Sequence, residues 1–211
     1  MWRQLLHKFG DQATVYNSIQ HAVGSERVWN GFIESLNNRL STWKSTEVWL
    51  DLGCGTADIL THLPTNIPYI GVDINPKYID YAQKTYPNRP NTIFICASWH
   101  DTAWLDKIDG LHISVVSLLG LLHHLNDDEA RKVLQLSFTC LSPQGTLISL
   151  DGCKEIHASM IERFFYWIDR GQHVRSSASL ASLFPIKPQV SLHQKWLHVP
   201  YCYGICRIEK A

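Results

Sequence analysis

The sequence is short of several things. It has no excess of charge: Lys and Arg total 19, Asp and Glu total 19, and the formal net charge is zero. A chain that tracks a phosphate backbone usually carries a basic excess or patch, so nucleic acid is not an expected partner. No run of 18 apolar residues occurs, which argues against a membrane-spanning helix. The opening Met1-Trp2-Arg3-Gln4-Leu5-Leu6-His7-Lys8 is too polar for a signal peptide, and a cytoplasmic location is expected. The six cysteines (Cys54, Cys96, Cys140, Cys153, Cys202, Cys206) include no CxxC pair, so no metal is expected. Reduced, mostly buried thiols are the expectation instead. Repeats and low-complexity linkers are also missing.

What is there suits one globular domain. The 211 residues are 45% hydrophobic and 18% charged, enough to bury a core without staples. Residues 1–45 read as helical, with Val28, Phe32, Ile33 and Leu36 at helix-like spacing. Short apolar runs then alternate with helical segments. Strands are expected at Glu47–Asp51, Tyr69–Asp73, Thr92–Cys96, Leu111–Leu118 and Thr146–Leu150. Helices are expected at Ala57–His62 and Pro76–Tyr86, and from Asn126, which can cap with Glu129 closing a capping box. This alternation predicts an α/β fold with a parallel sheet covered on both faces. Beyond it lie a helix over His157–Asp169 and two late strands, around Gln189–His198 and Tyr203–Ile208.

The strongest local signal is Asp51-Leu52-Gly53-Cys54-Gly55-Thr56-Ala57, directly after a strand. Glycines there let the backbone turn sharply and approach a ligand. Asp58 stands where a dinucleotide fingerprint places its third glycine, and a carboxylate at Asp51 suits an ammonium group better than a pyrophosphate. Both features count against an NAD-dependent oxidoreductase. Asp73 ends the next strand, where a carboxylate can accept hydrogen bonds from ribose hydroxyls. Asn75-Pro76-Lys77-Tyr78 has the look of an amino-methylation motif but follows the wrong strand, and it reads as a helix start.

These residues resemble the class I S-adenosylmethionine (SAM) dependent methyltransferase superfamily. Leu50, Asp51, Gly53, Gly55 and Ala57 match its first motif, with Ala in the last glycine's place. Leu118-Leu119-Gly120-Leu121-Leu122-His123-His124-Leu125 is similar to the His-His-Leu segment of small-molecule members, and Leu141-Ser142-Pro143-Gln144-Gly145 to their turn before the fifth strand, with Gln144 departing. The resemblance implies a Rossmann-like, mostly parallel seven-stranded sheet with helices on both faces. It implies a helical cap (1–45), a SAM-binding core (46–151) and a substrate-side half (152–211). It also implies SAM as cofactor and S-adenosylhomocysteine (SAH) as product, with Asp51, Gly53, Cys54 and Gly55 at the methionine part, Asp73 and Ile74 at the ribose and beyond, and Leu118 nearby. The usual acid for the adenine amine is replaced, with Ser98 in its place and Trp99 available to stack on the ring. A further likeness of the chain's ends to methyltransferases of polysaccharide and natural-product biosynthesis implies that Tyr16 and Gln20 close over the SAM carboxylate. A SAM-binding protein that no longer transfers a methyl is the alternative of another class.

Methyl transfer needs alignment above all. A hydroxyl acceptor also needs its proton removed, and histidine suits that near neutral pH. His123 and His124 follow the fourth strand, at the carboxyl edge where open α/β sheets bind ligands. His124 is slightly preferred as base by analogy. Arg170 and Arg175 can bind an anionic small-molecule substrate, with a structural ion pair as the competing role.

Overall fold

A computed structural model of the chain describes residues 25–154, 160, 166, 172–194, 196 and 201–211. The helix expected over His157–Asp169 and the first 24 residues lie largely or wholly outside that set.

The central sheet has seven strands: β1 (Glu47–Leu52), β2 (Tyr69–Asp73), β3 (Thr92–Cys96), β4 (His112–Leu119), β5 (Thr146–Gly152), β6 (Gln189–His193) and β7 (Tyr203–Glu209). Their spatial order is β3-β2-β1-β4-β5-β7-β6. The first five are parallel, and β7 enters antiparallel between β5 and β6. Strand positions agree with the sequence reading to within a residue or two, except that β6 ends at His193.

Side-chain alternation builds two cores. Val48, Leu50 and Leu52 of β1 face one way, against Ala130, Val133 and Leu134 of α4 (Asp127–Cys140) and Leu180 of α5 (Ser177–Ala181). Trp49 faces the other way, with Val28 and Phe32 of α1 (Ser25–Ser35), Leu36 just after it, and Ile79 and Ala82 of α3 (Pro76–Thr85). A short α2 (Asn37–Ser41) follows α1. Both faces of the sheet are therefore covered, and β1 and β5 are buried at every position.

The helix starts follow their caps. Asn126 accepts from the Glu129 amide at 3.0 Å, and the Glu129 carboxylate accepts from the Asn126 amide at 3.1 Å, completing the expected box. Asn75 caps α3, with Pro76 in the first turn. The helix expected at Ala57–His62 is instead a 3-10 turn, Asp58–Thr61. The six cysteines are all reduced; four are buried, Cys140 is half-buried and Cys96 is exposed.

The turn before β5 carries strain. Gln144 has φ +63, while its amide donates to the Lys210 carbonyl at 3.0 Å and the Gly145 amide to the Ser142 carbonyl at 3.0 Å. A side chain in the left-handed region costs about 1–2 kcal/mol. Gln144→Gly is expected to stabilise the protein by about 1 kcal/mol, raising Tm by about 2–4 °C in a thermal melt. A lowered Tm would mean that the glutamine side chain supports this turn.

Candidate active site

The loop after β1 turns on three residues of positive φ: Gly53 (+73), Gly55 (+54) and Ala57 (+58). The Gly53 and Cys54 amides both donate to the Val72 carbonyl, at 2.8 and 3.1 Å, anchoring the loop to the end of β2. A Cβ on Gly53 would come within 2.9 Å of the Leu121 side chain, whereas one on Gly55 would meet nothing within 4 Å. Gly55 thus bares backbone to open space in a conformation that L side chains disfavour.

Asp73 links this loop to the next. Its Oδ2 accepts from the Gly55 amide at 2.9 Å and its Oδ1 from the Asn75 amide at 2.7 Å. A carboxylate offers about four lone-pair sites, so acceptor capacity remains for hydroxyl donors. Burial raises its pKa, and the two amides only partly oppose that.

Asp51 lies deeper. Its Oδ1 accepts from the Ser117 hydroxyl at 2.6 Å and its Oδ2 from the Tyr69 hydroxyl at 2.7 Å, and Ser117 in turn accepts from the Trp49 indole at 2.7 Å. Burial lifts its pKa from the ordinary 3.8 to about 6, against the pull of both hydroxyls and with the Asp73 charge adding to the rise. Tyr69 and Ser117 were not expected as site residues. They sit inside apolar strand patterns, and only sheet register brings them to Asp51.

The structure corrects several expectations. The Cys54 thiol turns inward against Gly71, so only its backbone is available to a ligand. Leu118 is fully buried in the core and lines no site with its side chain. Trp99 is half-buried against the core, and His100 stacks on the indole with centroids 3.5 Å apart, so one ring face is already covered. The Ser98 hydroxyl accepts from the His100 amide at 3.2 Å. Ile74 is 70% exposed beside Asp73, an apolar surface at the carboxyl edge of the sheet. Tyr16, Gln20 and Arg170 lie outside the described residues.

Arg175 is not available to a substrate anion. Its Nε and Nη2 pair with Asp127 at 2.9 and 2.8 Å, Nη1 donates to the Leu122 and His173 carbonyls at 2.7 and 3.2 Å, and Nη2 also donates to the Leu125 carbonyl at 2.6 Å. All five of its N–H donors are thus accounted for.

The two histidines differ in setting. His124 is exposed. His123 is half-buried, its Nδ1 2.9 Å from Asp151 Oδ1, an atom that also accepts from the His123 amide at 3.2 Å. Burial raises the Asp151 pKa, and the bonds and charge of His123 oppose the rise. Its Oδ2 is buried without a hydrogen-bond partner among the described residues. Asp151 too was missed, although it ends a strand much as Asp51 and Asp73 do.

Among the described residues no helix is long and apolar enough to cross a membrane, and no group of three or more His, Cys, Asp or Glu is placed to hold a metal ion.

The sheet order, the glycine loop at its carboxyl edge and the acid at the end of β2 define a Rossmann-like methyltransferase fold. Solved structures of similar fold include a plantazolicin methyltransferase with SAH (11% identity, TM-score 0.68, covering 100% of this chain and 95% of that one). Another is a magnesium protoporphyrin IX methyltransferase from Synechocystis PCC 6803 with SAH (12%, TM-score 0.66, 99% of each chain). A third is a SAM-dependent methyltransferase from Leishmania major (16%, TM-score 0.66, 98% and 82%). No curated protein matches the sequence. The family model described as a methyltransferase domain matches residues 50–145. Residues 50–145, somewhat under half of the chain, thus match a methyltransferase domain, and the described fold is the one that these SAM-dependent methyltransferases share.

Two outcomes are expected. Asp73→Ala is expected to weaken SAM binding at least roughly tenfold in calorimetry, because the acceptor expected for the ribose and the anchor of the Gly55 loop are lost together. Unchanged affinity in a folded variant would remove Asp73 from the site. For Asp51 the folded pKa lies above the unfolded one, so the native state binds more protons between about pH 4 and 6, and this group's contribution to stability falls as pH rises through that window. Asp51→Asn is therefore expected to gain more Tm in the ligand-free protein at pH 8 than at pH 4, and to abolish a loss of SAM affinity below about pH 6. The same pH dependence in both proteins would refute this.

Proposed function

We propose that this protein transfers the methyl group of SAM to an oxygen atom of a small-molecule acceptor, and that His123 takes the acceptor's proton. The carrying observation is the 2.9 Å contact between His123 Nδ1 and Asp151 Oδ1. An Nδ1–H directed at a carboxylate leaves the lone pair on Nε2, the arrangement of a general base. The buried carboxylate then offsets the imidazolium charge that forms on proton uptake. His124, preferred on the sequence alone, is exposed.

SAM supplies a methyl carbon already activated by its sulfonium. This chain's own contribution is placement. Gly53 and Gly55 admit the methionine part closely, Asp51 lies beneath it with its carboxylate fixed by Tyr69 and Ser117, and Asp73 offers acceptor capacity for the ribose. Ile74, Ser98 and one face of Trp99 border the position expected for adenine. Zero net charge supports a small molecule over nucleic acid. A neighbour of this fold from Burkholderia thailandensis, described as an O-methyltransferase family protein, is consistent with an oxygen acceptor (15% identity, TM-score 0.63). The protein acts in the cytoplasm on this reading.

Calorimetry with SAM, SAH and NADH, followed by a phenol and alcohol screen reading SAH release, tests the proposal. Micromolar binding of SAM and SAH without NADH is expected. On the acceptor so found, His123→Gln should cut SAH release about a hundredfold or more, and His124→Gln far less. Undiminished turnover in a folded His123→Gln variant would exclude it as the base.

A further inference from the structure

The turn that carries both histidines has little holding it from within. It is a single 3-10 turn, Leu122–His124, closed by the His124 amide on the Leu121 carbonyl at 3.0 Å and the Leu125 amide on the Leu122 carbonyl at 3.3 Å. Further support comes from the Asp151 carboxylate, which accepts from the His123 amide at 3.2 Å, and from about fifty residues further along the chain. Arg175 places one guanidinium nitrogen on the Leu122 carbonyl and another on the Leu125 carbonyl, the residues that bracket His123 and His124. The His173 amide donates to the His123 carbonyl at 2.9 Å. The Lys154 amide donates to the Arg175 carbonyl at 2.9 Å, and Cys153 bridges to Arg175 next to the end of β5, where Asp151 sits.

We infer that Arg175 is a positioning residue for His123, holding the imidazole in register with Asp151. The inference rests on the reading of His123 as base. Arg175 is only 8% exposed. Burying a charge is costly unless it is paired and its donors are met, and here Asp127 and three carbonyls do both. A planar fork can hold two carbonyls at a fixed separation; a lysine ammonium, a point charge on a flexible stem, cannot. Among the described residues, the charged and titratable groups around His123 are Asp151 on β5, His124 on its own turn, His173, Arg175 with its partner Asp127 at the start of α4, and Cys206 of β7, which lies beside Asp151. Arg89 makes a comparable clamp elsewhere, donating to the Leu60, Leu63 and Pro64 carbonyls, and serves as a control.

The test is proton NMR of the full chain, labelled with nitrogen-15 histidine and saturated with SAH. The imidazole N–H bonded to Asp151 should give a downfield, exchange-protected resonance, assigned by its loss in His123→Gln and in Asp151→Asn. In Arg175→Lys this proton should exchange roughly tenfold faster or broaden away, since the turn opens locally, while calorimetric SAH affinity stays within about twofold. Arg89→Lys should leave the resonance unchanged, which a purely structural loss would not predict for one clamp and not the other. A protected resonance in folded Arg175→Lys, or none in the parent protein, overturns the inference. Should Arg175→Lys not fold, Asp127→Asn removes one anchor and should speed exchange several-fold; a parental rate overturns the inference equally. Retained SAH release in His123→Gln would defeat the base reading alone, since the resonance reports position and not proton transfer.

Discussion

The hydrogen bond from the Gly55 amide to the Asp73 carboxylate joins the loop after β1 to the end of β2, and the ligand-facing edge of the sheet is organised around it. With the Gly53 and Cys54 amides on the Val72 carbonyl, it extends the ladder between β1 and β2 past the point where the strands stop. The loop therefore needs no helix of its own to fix it, and the chain continues into a brief 3-10 turn. The same bond also keeps a carboxylate charge close to Asp51, and that proximity adds to the raised pKa of the deeper acid.

Much of this was legible in the sequence. Short apolar runs located the strands, Asn126 and Glu129 located a helix start, and the glycine spacing after β1 located the loop at the carboxyl edge of the sheet. Side-chain direction was not legible. Cys54 and Leu118 belong to the right segments, yet a strand or tight turn sends alternate side chains to opposite sides, and theirs go to the core. Arg175 looked like an anion binder because a guanidinium fork suits one. Its actual acceptors are the Asp127 carboxylate and the backbone carbonyls of residues 122, 125 and 173, and no spacing rule connects 122, 125 or 127 to position 175.

The two histidines show the same limit. Adjacent in sequence and chemically identical, they are separated only by what stands opposite them, and Asp151 is 28 positions from His123. Its signal was present, an acid closing an apolar run as at Asp51 and Asp73. The parallel sheet brings these three strand ends to one edge, so buried acids recur there for a topological reason. Each is handled differently: by hydroxyls at Asp51, by backbone amides at Asp73, and by an imidazole at Asp151.

The insertion of β7 beside β5 has a consequence for how the chain matures. β5 is buried along its whole length, and its second hydrogen-bonding edge is satisfied by residues 203–209, roughly fifty positions later. During synthesis an apolar strand thus stands with an open edge while the intervening segment is made, the situation in which unpaired edges recruit wrong partners. Lys210 then fastens the assembly, its ammonium on the Phe138 and Leu141 carbonyls at the end of α4 and its amide on the Gly145 carbonyl. Closure of the sheet and capping of that helix thus both depend on residues 203–210, a latch on strands and a helix made well before them.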